Sequence, residues 1–419
     1  MPPSPVEKLL VAEDRIVYVK RDDRLRLPGS QLSGNKARKF WALQALQFPN
    51  DDDELCLVSY GGPQSNAMVA LAAVVHHWNH QRNVSSLSLS SYSSQQQQQQ
   101  PPEPNNSPPR FRFVYYTKKL PKFLRQQPSG NLFRAQSLGM ELMELSPTDY
   151  KNWFGSGGTK PPAAMVPPVT TTIATRQSSR CLWIPQGGAC GVARVGAQRL
   201  AAEVVEYWAK HNRNNPLTLC LPGGTCTTAA LLHRELKRML KQEQQHQGLD
   251  IQVVVIPCVG DDAYARRQMM TLMAQLGYNN VGDIPTILLP NDDNDNGSRR
   301  QENPHNSNQY FTFGEPHPEI FDTYRTMIQD HDLVLDLLYG APSWTILQRH
   351  LKAASRRATT PPSTGNEARE AFDPQHPLAG RSVMYIHSGG LEGINTQLLR
   401  YKYKGLIDPD EIQLPGKDR

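Results

Sequence analysis

Short runs of consecutive apolar residues alternate along the chain with longer segments in which apolar residues recur every three or four positions. The runs, which we interpret as strands, are residues 16–20, 55–60, 112–117, 217–221, 251–256, 333–338 and 382–387. Between them, sets such as Leu200, Val204 and Trp208 have helical spacing. Continuously apolar strands are typical of parallel sheets that helices cover on both faces, so the pattern predicts an open α/β fold.

Four segments interrupt this pattern and consist mainly of polar residues, Pro and Gly. They are residues 85–109, which include a run of Gln at 95–100, and residues 155–179, 291–308 and 352–378. Segments of this composition bury too little apolar surface to offset the cost of ordering the backbone. We therefore expect four disordered polar loop insertions, within a core long enough for two domains.

Composition and charge exclude several classes of protein. The chain of 419 residues is 38% hydrophobic and 20% charged, with a net charge of +6, which is not the profile of a highly charged disordered protein. The densest basic stretch, residues 110–125, overlaps a predicted strand, so we interpret it as a solvated strand face and expect no nucleic-acid partner. No apolar run reaches the ~18 residues of a membrane span, and we expect no membrane partner.

The six cysteines form neither a C-x-x-C pair nor a zinc-site spacing. This favours free thiols in a reducing compartment over disulfides, and it predicts no metal site. Residues 1–10 lack both the apolar core of a signal peptide and an Arg-rich amphipathic leader. These observations predict a cytoplasmic protein.

The loop after the predicted strand at 217–221 is a candidate anion site. Residues 222–229 read Pro-Gly-Gly-Thr-Cys-Thr-Thr-Ala and lead into a predicted helix. Glycines allow a ligand to approach the backbone, Thr hydroxyls can donate hydrogen bonds, and the amides at a helix start favour negative charge. It is not a Walker loop, because no Gly-Lys-Ser/Thr follows at the required spacing. The loop is therefore either a phosphate site or an ordinary turn with a Thr cap.

A second loop of this kind follows the predicted strand at 55–60. Residues 61–66 read Gly-Gly-Pro-Gln-Ser-Asn and begin a helix that is apolar on nearly every face. The loop can bind a carboxylate at the free amides of the helix, or Ser65 or Asn66 can simply cap the helix.

Lys36 lies in the first turn of another predicted helix, within residues 33–39 (Ser-Gly-Asn-Lys-Ala-Arg-Lys). Positive neighbours there lower the pKa of an amine, as Schiff-base chemistry requires, although Lys36 can also be a solvated surface lysine. A phosphate site, a carboxylate site and an activated lysine together match the needs of pyridoxal phosphate and an amino-acid substrate.

Residues 19–23 (Val-Lys-Arg-Asp-Asp) and 33–39 resemble the lysine signature of the aminocyclopropane-carboxylate deaminase and D-cysteine desulfhydrase family, within the tryptophan synthase β-like, fold-type II pyridoxal phosphate enzymes. Residues 61–66 are similar to that family's Gly-Gly-x-Gln-Ser-Asn loop. Further landmarks follow in the same order, at residues 130–132, 185–188 and 387–391.

The resemblance implies an architecture of two open, mostly parallel twisted sheets that helices flank. It implies a larger cofactor-binding domain, formed by residues 1–50 and 187–419, and a smaller mobile domain, residues 51–186. The resemblance also implies a homodimer, the usual oligomeric state of the family.

The resemblance also implies roles for individual residues. Lys36 would bind pyridoxal 5'-phosphate covalently and move the Cα proton, while Asn66 would bond the cofactor's ring hydroxyl and Ser388 would lie by its ring nitrogen. Tyr339 matches an active-site tyrosine that would also contact the substrate. Ser65, a possible proton-transfer group, would hold the substrate carboxylate with Gln64 and Asn66. The phosphate would bind to Gly224, Thr225, Cys226, Thr227 and Thr228.

Four positions depart from the family pattern. Phe313 stands where a second active-site tyrosine is expected, Gly340 where the deaminases carry a carboxylate, Ala67 where His or Gln is usual, and Cys226 where Gly is usual. These changes favour a lyase that releases a β-substituent from a small amino acid, with D-cysteine as the best substrate, over opening of a cyclopropane ring. The alternatives are an aminocyclopropane-carboxylate deaminase, a D-serine-type dehydratase, or a weakly catalytic protein that binds pyridoxal phosphate.

Overall fold

The strands and helices alternate along the chain, as the hydrophobic pattern predicts. The computed structural model describes residues 3–11, 15–27, 32–48, 55–90, 110–155, 180–242, 248–290, 310–359 and 376–408. The strands within them are β1 (Val6–Val11), β2 (Arg15–Lys20), β3 (Leu55–Tyr60), β4 (Phe111–Lys118), β5 (Met140–Leu145), β6 (Arg180–Ile184), β7 (Leu217–Gly223), β8 (Ile251–Pro257), β9 (Thr286–Ile287) and β10 (Ser382–Ile386). The α-helices are α1 (Gly34–Gln44), α2 (Asn66–Ser90), α3 (Lys122–Gln126), α4 (Gly130–Ser137), α5 (Pro147–Phe154), α6 (Arg194–His211), α7 (Thr227–Gln242), α8 (Asp262–Gln275), α9 (Pro318–His331), α10 (Gly340–Thr359) and α11 (Ile394–Tyr403).

The larger sheet has the spatial order β1, β2, β10, β7, β8 and β9, and all of its pairs are parallel except β1 with β2. Its central strands are buried on both faces. In β8, Val253 and Val255 pack with α6, α7 and α8, whereas Val254 and Ile256 pack with α9, α10 and α11. Because successive side chains point to opposite faces, a strand between two helical layers must be apolar at every position.

The smaller sheet has the order β5, β4, β3 and β6, and its strands are all parallel. On one face, Val58 and Tyr60 of β3 pack near Phe154 of α5. Elsewhere in the same unit, Trp78 of α2 meets the ring of Phe111 edge to face, with the centroids 5.8 Å apart. The predicted fold class, two mainly parallel sheets flanked by helices, is therefore confirmed.

The chain divides into two compact units. The first comprises Met1–Leu25, Ser33–Lys39 and Ala193–Arg419, and the second comprises Arg26–Leu32 and Phe40–Val192. The boundaries predicted at residues 50 and 187 lie several residues from the points where the chain passes between the units. One passage occurs inside α1, between Lys39 and Phe40.

The strand predicted at residues 333–338 is wrong, because this segment forms an irregular connection between α9 and α10. The segment is apolar because it is buried, but its backbone amides donate hydrogen bonds to side chains. Leu337 donates its amide to Gln397 Oε1 at 2.7 Å, and the amides of Leu338 and Tyr339 donate to Asp336 Oδ1. A segment whose amides are used in this way cannot join a ladder. Strands β1, β5, β6 and β9 were not predicted.

Two of the predicted insertions are partly helical. Residues 85–90 continue α2 and residues 352–359 continue α10, since neither stretch contains the Gly or Pro that would end a helix. Apart from Gly155 and residues 376–378, the remainder of the four predicted insertions lies outside the described residues. None of the helices in the described ranges is both long enough and apolar enough to cross a lipid bilayer.

Candidate active site

The start of α1, which carries Lys36, is docked on the loop after β10. The Asn35 amide donates to the carbonyl oxygen of Ser388 at 2.9 Å. Gly34 adopts a φ of +59°, and a Cβ atom at this position would lie 2.6 Å from the same oxygen. Glycine at 34 is therefore required for the close approach that brings Ser388 to the residue before Lys36.

The side chain of Asn35 connects α1 to the loop after β7. Asn35 Nδ2 donates to Thr228 Oγ1 at 3.2 Å, and the Thr228 hydroxyl donates to Asn35 Oδ1, also at 3.2 Å. Thr228 belongs to the first turn of α7, so the residue next to Lys36 contacts the helix that begins in the predicted phosphate loop. The structure thus brings Lys36, Thr228 and Ser388 into one region of the first unit.

The loop around the end of β7, residues 222–229, is the predicted phosphate site and is called the anion loop below. Cys226 adopts a φ of +52°, the left-handed conformation usually left to glycine, and Thr225 Oγ1 lies 2.8 Å from Thr227 Oγ1. A Cβ atom at Gly224 would lie 3.0 Å from Cε1 of Tyr339, so only glycine leaves space between the loop and this ring. The first amides of α7 lack partners within the helix and are available to an anion.

Lys36 is half-buried, and its amine makes no hydrogen bond with the residues that the structure describes. Burial lowers the pKa of Lys36, and the negative charges of Asp336 and Glu392 oppose that effect. The amine is therefore more readily neutral than that of an exposed lysine. The sequence predicts this direction, but it predicts positive neighbours as the cause, whereas the cause in the structure is burial.

Tyr339 lies at the end of the connection before α10, with its ring against the position of Gly224. Burial raises the pKa of Tyr339, and the nearby carboxylate of Asp336 raises it further, so the phenol is neutral at neutral pH. The Phe313 ring lies beside it, with the centroids 5.4 Å apart. Phe313, which lacks the expected hydroxyl, thus lies next to Tyr339, the candidate active-site tyrosine.

The second unit holds the other predicted loop, and Asn131 ties it to the start of α4. Asn131 Nδ2 donates to the Gln64 carbonyl at 3.0 Å and to Asn66 Oδ1 at 2.7 Å. The Gln64 side chain accepts from the Asn131 amide at 2.9 Å and donates to the Ser129 carbonyl at 3.0 Å. The Gln64 side chain therefore stabilises the loop. The contact with substrate that the sequence predicts for Gln64 would have to be made by the backbone of that residue.

These bonds also fix the orientation of Asn66. Since its Oδ1 accepts from Asn131, its Nδ2 is the group that remains able to donate. Ser65 Oγ accepts from the Met68 amide at 3.4 Å, which is a capping contact for α2 and leaves its hydroxyl proton available. Asn131 Oδ1 is buried and has no partner among the described residues.

A buried ionic network lies behind α1 and uses the residues around Lys36 in the sequence signature. Arg38 donates to both oxygens of Asp22 at 2.6 and 2.7 Å and to both oxygens of Glu203 at 2.7 Å. Lys20 donates to Glu203 at 2.6 Å. Charges this deep persist only when they are paired, so the network fixes α1, and with it Lys36, on the sheet.

The sequence interpretation missed three contributors to the site. Asp336, Asn35 and Asn131 had no assigned role, although Asp336 and Asn35 lie within a few residues of one that did and Asn131 lies in the landmark motif at residues 130–132. For Asp336 a signal existed, because an Asp inside the apolar run 333–338 is unusual for a strand. The described residues contain no group of three or more His, Cys, Asp or Glu that could hold a metal ion.

Comparison with solved structures identifies the fold. The crystal structure of a homologue of ACC deaminase matches with a TM-score of 0.56 at 16% identity, over 97% of this chain and 94% of that one. A fungal L-serine ammonia-lyase from Rhizomucor miehei has a TM-score of 0.48 at 11% identity, over 96% of this chain and 98% of that one. The chain thus shares the fold of the first structure, the tryptophan synthase β-like fold that the sequence resemblance implies.

No protein-family model matches the chain, and no curated protein matches its sequence.

Proposed function

We propose that this protein is a pyridoxal phosphate-dependent lyase that releases a β-substituent from a small amino acid. The best substrate is D-cysteine, which with one water gives pyruvate, ammonia and hydrogen sulfide. The observation that carries this proposal is the pair of hydrogen bonds between Asn35 and Thr228, because it joins the residue before Lys36 to the anion loop.

The residues present fit the cofactor. The absence of a side chain at Gly224 leaves room between the loop and the Tyr339 ring, and the Lys36 amine makes no hydrogen bond with the described residues. Lys36 would hold the cofactor covalently, and the Ser388 hydroxyl would face its ring nitrogen. The phosphate would be held by the backbone amides of Gly224, Thr225, Cys226, Thr227 and Thr228, together with the hydroxyls of Thr225 and Thr227.

When bound, pyridoxal phosphate supplies an electron sink for the pair left on the substrate Cα. Lys36 takes the Cα proton, for which its lowered pKa is suited, since a neutral amine is a base and an ammonium ion is not. Ser388 offers a neutral hydroxyl in place of a carboxylate, which suits elimination without full protonation of the ring.

The residues predicted to bind the substrate carboxylate and the cofactor's ring hydroxyl belong to the second unit. Asn66 is oriented to donate through Nδ2, and Ser65 with the amides around Gln64 would hold the substrate carboxylate. Tyr339 is neutral, so its hydroxyl carries a proton that it could donate in a hydrogen bond to a leaving group.

Two positions favour elimination over opening of a cyclopropane ring. Phe313 places a phenyl ring beside Tyr339 where a second hydroxyl would be needed. At Gly340 a Cβ atom would lie 3.1 Å from Asp336 Oδ2, so a carboxylate side chain cannot be accommodated there without displacing Asp336. The same two positions support the second candidate, a weakly catalytic protein that binds the cofactor.

An amino-acid panel tests the proposal. The purified protein, loaded with pyridoxal phosphate, is incubated with D-cysteine, L-cysteine, D-serine and 1-aminocyclopropane-1-carboxylate, and keto acid and sulfide are measured, with the Lys36→Ala variant as control. We expect pyruvate and sulfide in equal amounts from D-cysteine. Turnover of the cyclopropane substrate or of D-serine alone would favour the deaminase or the dehydratase. Cofactor binding without turnover of any amino acid would favour the second candidate.

A further inference from the structure

The carboxylate of Asp336 is fully buried and has no role in the activity proposed above. Its Oδ1 accepts the amides of Leu338 at 3.0 Å and Tyr339 at 2.9 Å, and its Oδ2 accepts the amide of Gly340 at 2.9 Å. Three backbone donors on one carboxylate fix the turn that carries Tyr339. The carboxylate thus fixes the backbone position of Tyr339, whose ring lies against Gly224 of the anion loop.

Further contacts hold this turn. The Tyr339 carbonyl accepts the amide of Ser343 at 3.1 Å and its hydroxyl at 2.7 Å. At Gly340, a Cβ atom would meet Asp336 Oδ2 at 3.1 Å. The conformation of the turn is therefore held at both ends, by the carboxylate and by the first turn of α10.

The carboxylate of Asp336 is also electrostatically coupled to the amine of Lys36. The two groups influence each other's charge, since Asp336 opposes the effect of burial on the pKa of Lys36, and Lys36 opposes the effect of burial on that of Asp336. Burial raises the pKa of Asp336 to about 6, and the three amides and Lys36 work against that rise. The structure shows no direct hydrogen bond between the two, so the interaction acts through the electric field in a poorly solvated space.

We propose that Asp336 is a positioning residue of this site, which fixes Tyr339 through its backbone and supplies the negative charge that faces the Lys36 amine. The inference rests on the proposed function, because that function requires both the Lys36 amine and the Tyr339 phenol. Asp336 acts on the first through its charge and on the second through the backbone. Asp336 itself would touch neither cofactor nor substrate.

Other ionisable groups share this environment. Among the described residues, Asp336 is faced by Lys36 from α1, by Cys258 after β8 and by Tyr385 from β10, together with Tyr339 of its own segment. Burial raises the pKa of Cys258, Tyr339 and Tyr385, so these three are neutral at neutral pH. Lys36 is additionally faced by Glu392. The carboxylates of Asp336 and Glu392 thus both oppose the effect of burial on the pKa of Lys36.

The Asp336→Asn variant tests the charge directly. The asparagine keeps an oxygen for the amides of Leu338 and Tyr339 but has no negative charge. The reactivity of the Lys36 amine is measured in the cofactor-free full-length chain by trace acetylation between pH 6 and 10, followed by mass spectrometry. We expect the midpoint for Lys36 to move to lower pH, with about threefold or more additional acetylation at a fixed pH below it.

Asp332→Asn is the matched control, because Asp332 is exposed and its left-handed φ of +48° is tolerated by Asn. It should leave the Lys36 profile unchanged. An Asp336→Asn protein with unchanged circular dichroism and an unchanged Lys36 midpoint would overturn the inference, since a purely structural role would not move the midpoint.

The wild-type chain gives an independent measurement if the variant does not fold. Because Asp336 gains its charge at about pH 6 and then holds a proton on Lys36, the acetylation rate of Lys36 should rise between pH 5 and 7 with a slope below one per pH unit. A slope of one throughout would overturn the inference. Failure of borohydride to trap pyridoxal phosphate on Lys36 would instead count against the proposed function, whatever the acetylation shows.

Discussion

Asn35 and Thr228, which lie 193 positions apart in the sequence, exchange hydrogen bonds at 3.2 Å in both directions. One residue precedes Lys36, and the other lies in the first turn of the helix that the anion loop begins. Two features that the sequence could place only at the starts of separate helices are therefore joined by side chains. The pairing also orients the Thr228 hydroxyl, since its proton is directed to Asn35 Oδ1.

Replacement of Thr228 by Val should weaken cofactor binding. The change preserves the shape of the side chain but removes both hydrogen bonds to Asn35 and a hydroxyl from the anion loop. Loss of this pairing should raise the dissociation constant for pyridoxal phosphate about tenfold, equivalent to about 1.4 kcal/mol. Titration with pyridoxal phosphate, followed by absorbance, gives the constant.

A double-mutant cycle with Asn35→Ala separates the pairing from the direct contact. The double variant should bind pyridoxal phosphate less weakly than the two single effects predict, with a coupling of about 0.5–1.5 kcal/mol. Thr271→Val, on the exposed side of α8, should have no effect. Fully additive effects of Asn35→Ala and Thr228→Val would mean that the pairing has no bearing on the cofactor.

Lys36→Ala should abolish both the visible absorbance of the loaded protein and the borohydride trapping of pyridoxal phosphate. The reason is that no other group in the site is expected to bind the aldehyde covalently. The measurement is an absorbance scan together with mass spectrometry of the peptide that contains residue 36. Lys210→Ala, which removes an exposed lysine of α6, should leave both signals intact. Survival of both signals in Lys36→Ala would show that another lysine binds the cofactor.

Phe313→Tyr should raise any weak activity toward 1-aminocyclopropane-1-carboxylate. The new hydroxyl would lie next to Tyr339, whose ring centroid is 5.4 Å from that of Phe313, and 43% exposure of Phe313 means that the hydroxyl need not be desolvated. The assay is keto-acid formation, with Phe133→Tyr on exposed α4 as control. An unchanged rate would remove the support for aligning Phe313 with the family's second tyrosine.

The sequence predicts the fold well because a strand between two helical layers has a strong signature. The central strands β3, β7, β8 and β10 were found close to their observed bounds, since their side chains are buried on both faces. The segment 333–338 has the same signature for a different reason. It is buried, but Gln397 and Asp336 take up its amides, and this depends on tertiary contacts that no local pattern records.

The candidate site was predictable where a motif carried it and not where a side chain reached across the fold. Lys36, Thr228 and Ser388 were predicted from their sequence motifs, whereas the partnership of Asn35 with Thr228 depends on where two distant elements meet. Similarly, the sequence predicts that Gln64 contacts the substrate. In the structure its side chain accepts a hydrogen bond from the amide of Asn131, in the first turn of α4.

The thiol of Cys226, in the anion loop, should be chemically inert. Burial raises the pKa of Cys226 and of Cys220 to about 12, so at pH 8 roughly one thiol in ten thousand is ionised. We expect iodoacetamide at pH 8 to alkylate the exposed Cys181 in the native protein, and to reach Cys220 and Cys226 only after addition of urea. Rapid alkylation of Cys226 in the native protein would indicate that the anion loop opens.

Arg38→Met should destabilise the protein strongly, because it leaves Asp22 and Glu203 buried without their main partner. The loss of such a pair costs about 3–5 kcal/mol in the free energy of unfolding, measured by urea denaturation at pH 7. Arg325→Met, which removes a half-exposed arginine paired with Asp322 at 3.3 Å, should cost less than about 1 kcal/mol.

The pH dependence of that loss distinguishes charge from packing. Burial alone would raise the pKa of Glu203, but hydrogen bonds and charge from Arg38 and Lys20 lower it below its usual value. In the wild type, this carboxylate therefore contributes stability above its unfolded pKa, and the contribution is lost as the pH falls through the lower, folded value. Without Arg38 the effect of burial gains weight, so the pKa of Glu203 rises and protonation in acid relieves the unpaired charge. The difference in unfolding free energy between wild type and Arg38→Met should then shrink as the pH is lowered from 7 to 4, whereas a difference that stays constant would mean that Arg38 acts by packing alone.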